Sequence, residues 1–231
     1  MGFGMRSKVG EVVTAEEGEI YDIELDESIL KANRRLAEEN RRLLDKHNVR
    51  AIDIMGATGS GKTTLIEGMI RRLKGKYRIA VIKGDLTTTI DAEAISRHGV
   101  EAIPVNTGKE CHLDANLIQK ALKRLNLEGI DLLLIENVGN LICPAEFPLG
   151  SHNRIVIVSV TEGPYMIVKH PYIFMDADVI VINKVDLAEA MGVNPRRLME
   201  DARMINPKAK VVLACCRSGL GIGEVIEALG L

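Results

Sequence analysis

Residues 56–64 read "GATGSGKTT": Gly56, four residues, then Gly61, Lys62 and Thr63. This is the spacing of a loop that wraps phosphates. Gly56, Gly59 and Gly61 let the backbone bend so that successive N–H groups, those of Ser60 and Thr64 included, point at one anion. Lys62 sets a positive charge against the β- and γ-phosphates, and the Thr63 hydroxyl is of the type and at the place of a Mg2+ ligand. A helix starting here adds its positive N-terminal end. The alternative is a glycine-rich turn without function, and the apolar run before it and amphipathic stretch after it weigh against that.

Further along, "VIVINKVDL" sets Asn183, Lys184 and Asp186 at the end of an apolar run. A carboxylate at Asp186 can accept from both N1–H and the 2-amino group of guanine, donors that adenine lacks there. Asn183 can meet the purine edge while the Lys184 stem covers the ring. Alone, the stretch could be a polar turn with Asp186 as a helix cap. Downstream of a phosphate loop it reads as a guanine site, and the expected nucleotide is GTP. "ACCRSGLG" brings Cys215, Cys216 and Arg217 to the loop that lies over the base in GTPases, where Ser-Ala-Lys is common. Cys216 and Arg217 are therefore candidate base contacts, with both thiols read as small packing residues.

"LLLIENVGN" ends an apolar run with Glu136 and places Gly139 three residues later. That spacing puts a carboxylate near Mg2+ and a glycine N–H near the γ-phosphate. Asp85 and Asp91, in "VIKGDLTTTIDAE", fall where a switch segment belongs. Asp85 reads equally as a Mg2+-linked carboxylate or as a turn residue. Together Lys62, Asp85, Asp91 and Glu136 are the candidate catalytic groups. Asn140 stands where a water-positioning glutamine is usual, so slow turnover is expected, suited to a switch.

Cysteine is scarce, four in all, yet "GKECHLDA" and "NLICPAE" place Cys111, His112 and Cys143 among polar and turn-forming residues. Thiolate and imidazole suit Zn2+ or Ni2+ rather than Mg2+ or Ca2+. Three ligands are one short of a closed tetrahedral site, and adjacent residues do not easily chelate one ion; a dimer pooling ligands from two chains resolves both difficulties. Loop thiols beside a surface histidine, with no ligand, remain the alternative on composition alone.

Seven apolar runs position these motifs: "AIDIM", "RIAVI", "AIPV", "DLLLI", "RIVIVSV", "DVIVI" and "KVVLA". Their Ile, Val and Leu content predicts strands buried on both faces of a mostly parallel sheet. Helices are expected at 62–74, 113–125, 195–205 and 221–230. The fold class is thus α/β, a doubly wound sheet of about seven strands, with ligands at the C-terminal strand ends. Residues 1–49 form an N-terminal extension: an irregular leader over 1–25, then a helix with a narrow apolar stripe of Ile29, Leu36 and Leu43, flanked by Leu30 and Leu44. Residues 50–231 form the P-loop domain. A net charge of −2 gives no electrostatic pull towards nucleic acid or an anionic membrane, and 3% aromatic residues leave little for base stacking. No run reaches membrane-spanning length and no signal peptide is visible, so a cytoplasmic location is expected.

The segments "GATGSGKTT", "KGDLTTTIDAE", "NTGKECHLDA", "IENVGNLICPA" and "VINKVDL" together resemble the HypB-type nickel-insertion GTPases of [NiFe]-hydrogenase maturation, from about Ala51 to Leu231. The two cysteine-bearing segments, around Cys111 and Cys143, are the most specific. The resemblance implies GTP hydrolysis with Mg2+, GTP-dependent homodimerisation, and delivery of Ni2+ to the hydrogenase large-subunit precursor beside a second nickel metallochaperone. It also turns the reading of Cys111, His112 and Cys143 towards a Ni2+ or Zn2+ site. Many such proteins carry a Cys- or His-rich N-terminal segment, which this sequence lacks. Competing readings are a urease-type nickel GTPase, disfavoured by the missing Cys-Pro-His signature, a nucleotide-gated assembly module with structural zinc, and a protein-targeting GTPase, for which a helical bundle and a Met-rich segment are wanting.

Overall fold

A computed structural model of the chain describes residues 23–85, 95–108 and 111–231. The seven apolar runs form seven strands: β1 Arg50–Met55, β2 Ile79–Asp85, β3 Glu101–Asn106, β4 Leu132–Glu136, β5 Asn153–Ser159, β6 Val179–Asn183 and β7 Lys210–Leu213. They make one sheet in the order β3-β2-β4-β1-β5-β6-β7, every pair parallel. Parallel strands need crossovers that cover both faces, and this is why β4 and β6 are buried at every residue.

Alternate residues of β1 point to opposite faces. Ile52 and Ile54 pack with Ile66, Met69 and Ile70 of α2 (Lys62–Leu73) and with a C-terminal helix at Ile222–Ala228. Ala51 faces the other way, onto Leu44 of α1 (Ile23–Lys46) and Ile118 of α3 (Ala115–Leu122). Beyond β5, the second face is covered by α4 (Pro195–Ile205) and by two short helical turns, Met166–Lys169 and Pro171–Met175, which periodicity does not reveal. The start of α4 matches expectation because Pro195 is preset for a first helical residue and Asn194 accepts the Arg196 N–H as cap.

The N-terminal helix departs from its expected form. It begins at Ile23, inside the expected leader, while residues 1–22 of that leader lie outside the described residues. Ile29, assigned to the apolar stripe, is 46% exposed. The buried face is instead Asn33, Ala37, Asn40 and Leu44. The asparagines turn inward because they serve backbone groups: Asn33 Oδ1 accepts from Ala115 N at 2.7 Å, and its amide donates to Pro148 O at 2.9 Å. Asn40 donates to Ala115 O at 2.8 Å and Leu149 O at 3.1 Å. Gly150 lets the loop lie against the helix; a Cβ there would overlap Ala37 O. Leu44 and Val49 share a core with β1 and β4, so the helix docks on the sheet domain.

Candidate nucleotide and metal sites

The phosphate-loop sequence lies between the end of β1 and the start of α2, at the C-terminal edge of the sheet centre. Gly61 caps α2 in a left-handed conformation, φ 108°, and a Cβ there would overlap the Asn183 amide. Both conditions select glycine. Lys62 is buried and its ammonium donates to Gly56 O at 2.9 Å and Ala57 O at 3.0 Å, across the mouth of the loop. The hollow enclosed by the loop, Thr63, Lys83, Glu136, Gly139 and Lys184 is about 480 Å³. A larger hollow of about 660 Å³ lies between α1 and the residues leading into β5, and no motif residue lines it.

Glu136 ends β4 with its carboxylate buried beside α2. Thr63 Oγ1 lies 2.8 Å from Glu136 Oε1. Adjacent ligands of an octahedral Mg2+ with bonds of ~2.1 Å lie about 3 Å apart. Glu136 Oε2 is buried without a hydrogen-bond partner. The hydroxyl, the carboxylate and the orphaned oxygen therefore fit a small hard cation. A residue that sequence reasoning passed over completes this corner. Lys83 of β2 is buried, with its ammonium 2.5 Å from Glu136 Oε1 and 3.0 Å from Thr63 Oγ1. Asp85 follows two residues later at the end of β2, paired with Asn106 of β3. Asp91 lies outside the described residues.

The turn after Glu136 rests directly on the phosphate loop. Gly139 approaches so closely that a Cβ would overlap Thr58 Oγ1, and that hydroxyl donates to Gly139 O at 3.3 Å. Gly56 and Asn140 form an isolated antiparallel bridge. Asn137, 1% exposed, accepts from Val138 N at 3.0 Å and from Leu113 N at 3.1 Å, and donates to Asp53 Oδ1 at 3.3 Å. Nothing in its sequence context marked it. Asn140 Nδ2 donates to Cys111 O at 3.4 Å, and its Oδ1 accepts from Ile142 N at 2.9 Å. Both sides of the turn thus reach the loop that carries Cys111 and His112.

That loop and the segment after Gly139 bring the three soft side chains together: the ligand atoms of Cys111, His112 and Cys143 all lie within 4.8 Å of one another. Cys111 Sγ is 2.9 Å from Cys143 Sγ and 3.8 Å from His112 Nδ1. Asp114 caps α3 by accepting the Leu117 N–H at 2.7 Å, which fixes the end of the loop, and Phe147 stacks on the His112 ring at 3.9 Å. The Cys143 partner holds the Cys111 thiol above its ordinary pKa. Two sulfurs on a tetrahedral Zn2+ with bonds of ~2.3 Å lie ~3.8 Å apart, so a bound ion would spread this pair by about 1 Å. Cys111 is exposed and Cys143 half-buried, leaving room for that movement and for further ligands.

At the far end of the hollow, Asn183 is a clasp. Its amide donates to Ser60 O at 2.8 Å and its carbonyl accepts from Cys216 N at 3.0 Å, tying the phosphate loop to the "ACCRSGLG" loop. One amide hydrogen remains for a purine edge. Lys184 adopts a left-handed conformation, φ 60°, that lifts it over the strand end, with its ammonium 3.5 Å from Thr161 Oγ1. Asp186 is exposed in the helical turn Val185–Leu187, and Arg217 is exposed as well. Cys216 packs in the core, where burial pushes its thiol up to about 12; it reaches the site through its backbone N–H. Glu162, beside Lys184 and Lys62, has a carboxyl raised by burial against the lowering influence of its Ser159 hydrogen bond and those two lysines.

Comparison with known proteins agrees with this geometry. A family model described as the CobW/HypB/UreG nucleotide-binding domain matches residues 50–213. The chain is 56% identical over 205 residues to the probable hydrogenase maturation factor HypB of Methanocaldococcus jannaschii, covering 89% of this chain and 93% of that one. The crystal structure of HypB from Archaeoglobus fulgidus superposes with a TM-score of 0.81 at 49% identity, over 87% of this chain and 98% of that one. HypB from Helicobacter pylori in complex with nickel gives a TM-score of 0.81 at 34% identity, over 86% and 93%. The all-parallel sheet, the phosphate loop and these likenesses together place the chain in the HypB family of hydrogenase maturation factors, among the CobW/HypB/UreG nucleotide-binding proteins.

Proposed function

We propose that this chain is a GTP-hydrolysing metallochaperone that helps insert nickel into [NiFe]-hydrogenase, with a metal site that senses the nucleotide. The observation that carries this reading is the turn from Glu136 to Cys143. It touches the phosphate loop through Gly139 and Thr58, and it carries one of the three soft ligands four residues later. Loss of a γ-phosphate beside Gly139 changes what that turn rests on, and Cys143 moves with it.

In this reading the loop N–H groups and Lys62 bind the triphosphate, and Thr63 and Glu136, with Asp85 as a further carboxylate, hold Mg2+. Mg2+ held there would supply positive charge to offset the negative charge of the phosphates. Asp186 reads guanine, flanked by Lys184. Turnover is slow because the Asn140 amide is engaged with Cys111 O and Ile142 N instead of orienting water. Cys111, His112 and Cys143 hold Ni2+ as cargo. Three ligands in place of a closed four favour exchange over a structural zinc role. A GTP-dependent homodimer supplies the remaining ligands, and the recipient is the hydrogenase large-subunit precursor, with a second nickel metallochaperone beside it in the cytoplasm.

The test is a Ni2+ titration of wild type and Cys143→Ser, each with GDP and with a non-hydrolysable GTP analogue. Wild-type affinity is expected to differ roughly 5–150-fold between the two nucleotides, with nucleotide affinity changed by the same factor in return. Serine keeps the size but not the soft ligand, and most of that difference disappears in the variant. Identical wild-type affinities in the two states would sink the coupling.

A further inference from the structure

Lys83 has no place in the phosphate, base or metal motifs, yet it stands at the chemical centre of the hollow. Its ammonium lies on Glu136 Oε1 at 2.5 Å and on Thr63 Oγ1 at 3.0 Å, and those two oxygens are themselves 2.8 Å apart. They are the oxygens assigned above to Mg2+. A divalent ion about 2.1 Å from both would lie within about 4 Å of the ammonium wherever it sits around the line joining them, and two cations so close repel strongly in a buried site. Lys83 and Mg2+ therefore compete for Glu136 and Thr63.

The backbone cannot relieve this conflict. Lys83 is held within β2, paired with Pro104 on one side and Glu136 on the other. The next residue, Gly84, is packed so tightly that a Cβ would sit 2.8 Å from the Leu113 side chain and 3.1 Å from Glu136 O. Only the side chain is able to move. A buried ammonium leaving a carboxylate needs another anion, and the hollow it lines extends to the loop that wraps phosphates.

We propose that Lys83 is the resident cation of the nucleotide-free site, exchanged for Mg2+ when the triphosphate binds and passed on to the terminal phosphate. It neutralises Glu136 while the site is empty, so divalent metal without nucleotide gains little there. With nucleotide, its charge meets the terminal phosphate in the hollow that Lys62 also lines. That contact discriminates triphosphate from diphosphate. The inference rests on Thr63 and Glu136 as the Mg2+ ligands, so its test includes a check of that assignment.

Mn2+ serves as a paramagnetic substitute for Mg2+, and its binding is followed by electron paramagnetic resonance without turnover. Four proteins are compared: wild type, Lys83→Met, Lys83→Gln and Glu136→Gln. Nucleotide-free Lys83→Met is expected to bind Mn2+ at least ~10-fold more tightly than wild type, since the competing ammonium is gone. Lys83→Gln, which keeps a donor near Glu136, gives a smaller gain in the same direction and covers the case in which the methionine variant fails to fold by circular dichroism. In Mg2+, either variant loses ~10-fold more affinity for a non-hydrolysable GTP analogue than for GDP. Equal nucleotide-free Mn2+ affinity in wild type and both Lys83 variants overturns the exchange, provided that Glu136→Gln weakens Mn2+ binding with nucleotide present. Mn2+ binding untouched by Glu136→Gln overturns the ligand assignment and the exchange with it.

Discussion

The side-chain carbonyl of Asn137 holds the backbone N–H of Leu113 at 3.1 Å, in a fully buried position. One residue before Asn137 is Glu136, whose buried carboxylate meets Thr63; one residue before Leu113 is His112. A single amide thus spans the nucleotide site and the soft-ligand loop.

Asn137→Ala removes the acceptor for both Leu113 N–H and Val138 N–H and leaves the two donors buried. Each unsatisfied donor costs about 1–3 kcal/mol, so a loss of ~2–6 kcal/mol in urea unfolding is expected. Affinity for Ni2+ should fall as well, because the loop bearing Cys111 and His112 loses its anchor. A fully stable variant with unchanged Ni2+ affinity would show that Asn137 bears on neither site.

Asp186→Asn should shift preference from GTP towards xanthosine triphosphate, because an amide can donate to the additional carbonyl of xanthine. Asp186 is exposed, so the fold should tolerate the change within about 0.5 kcal/mol. Competition binding with the two nucleotides is the measurement. Undiminished guanine preference would place the base elsewhere.

Asp53 provides a pH test of the core. It lies in β1 with Oδ2 buried and unpaired, and burial raises its pKa from 3.8 to about 6 against the opposing influence of Arg154 and the Asn137 hydrogen bond. A folded pKa above the unfolded one means that its stabilising contribution is fully present below pH 3.8 and is lost as pH rises through 6. The full change corresponds to about 3 kcal/mol. Asn cannot ionise, so the stability of Asp53→Asn relative to wild type should rise by up to that amount between pH 4 and pH 8. Parallel pH profiles of the two proteins, measured by urea unfolding, would rule out a titrating Asp53.

The sheet was legible because a strand buried on both faces leaves an uninterrupted run of Ile, Val and Leu, and the phosphate loop because its glycines answer to backbone geometry. The soft ligands were visible as residue types out of place, although only the fold shows two segments separated by some thirty residues meeting within 4.8 Å. Other features were hidden for a physical reason: their roles are hydrogen bonds to backbone groups far away in sequence. Asn33 and Asn40 look like solvent-facing residues of a helix until Ala115 and residues 148–149 arrive beside them. Lys83 looks like a stray charge in an apolar run until Glu136 on the neighbouring strand gives it a counter-ion. The two helical turns at 166–175 are too short for any periodicity to develop.

The order of the sheet also governs how the chain can be made. Among the described residues β1 is the first strand to leave the ribosome, yet it takes the central place, and its hydrogen-bonding partners follow about eighty residues later in β4 and about a hundred later in β5. Until then, a largely apolar segment waits with both edges open, the state most prone to pairing with another chain. Among the described residues, the helices made before β4 that can cover it are α1, α2 and α3. Fragments ending before Asn153 would keep an edge of β1 exposed, so such shortened versions of this protein are expected to aggregate, and synthesis of the whole chain depends on the nascent β1 being shielded until β5 emerges.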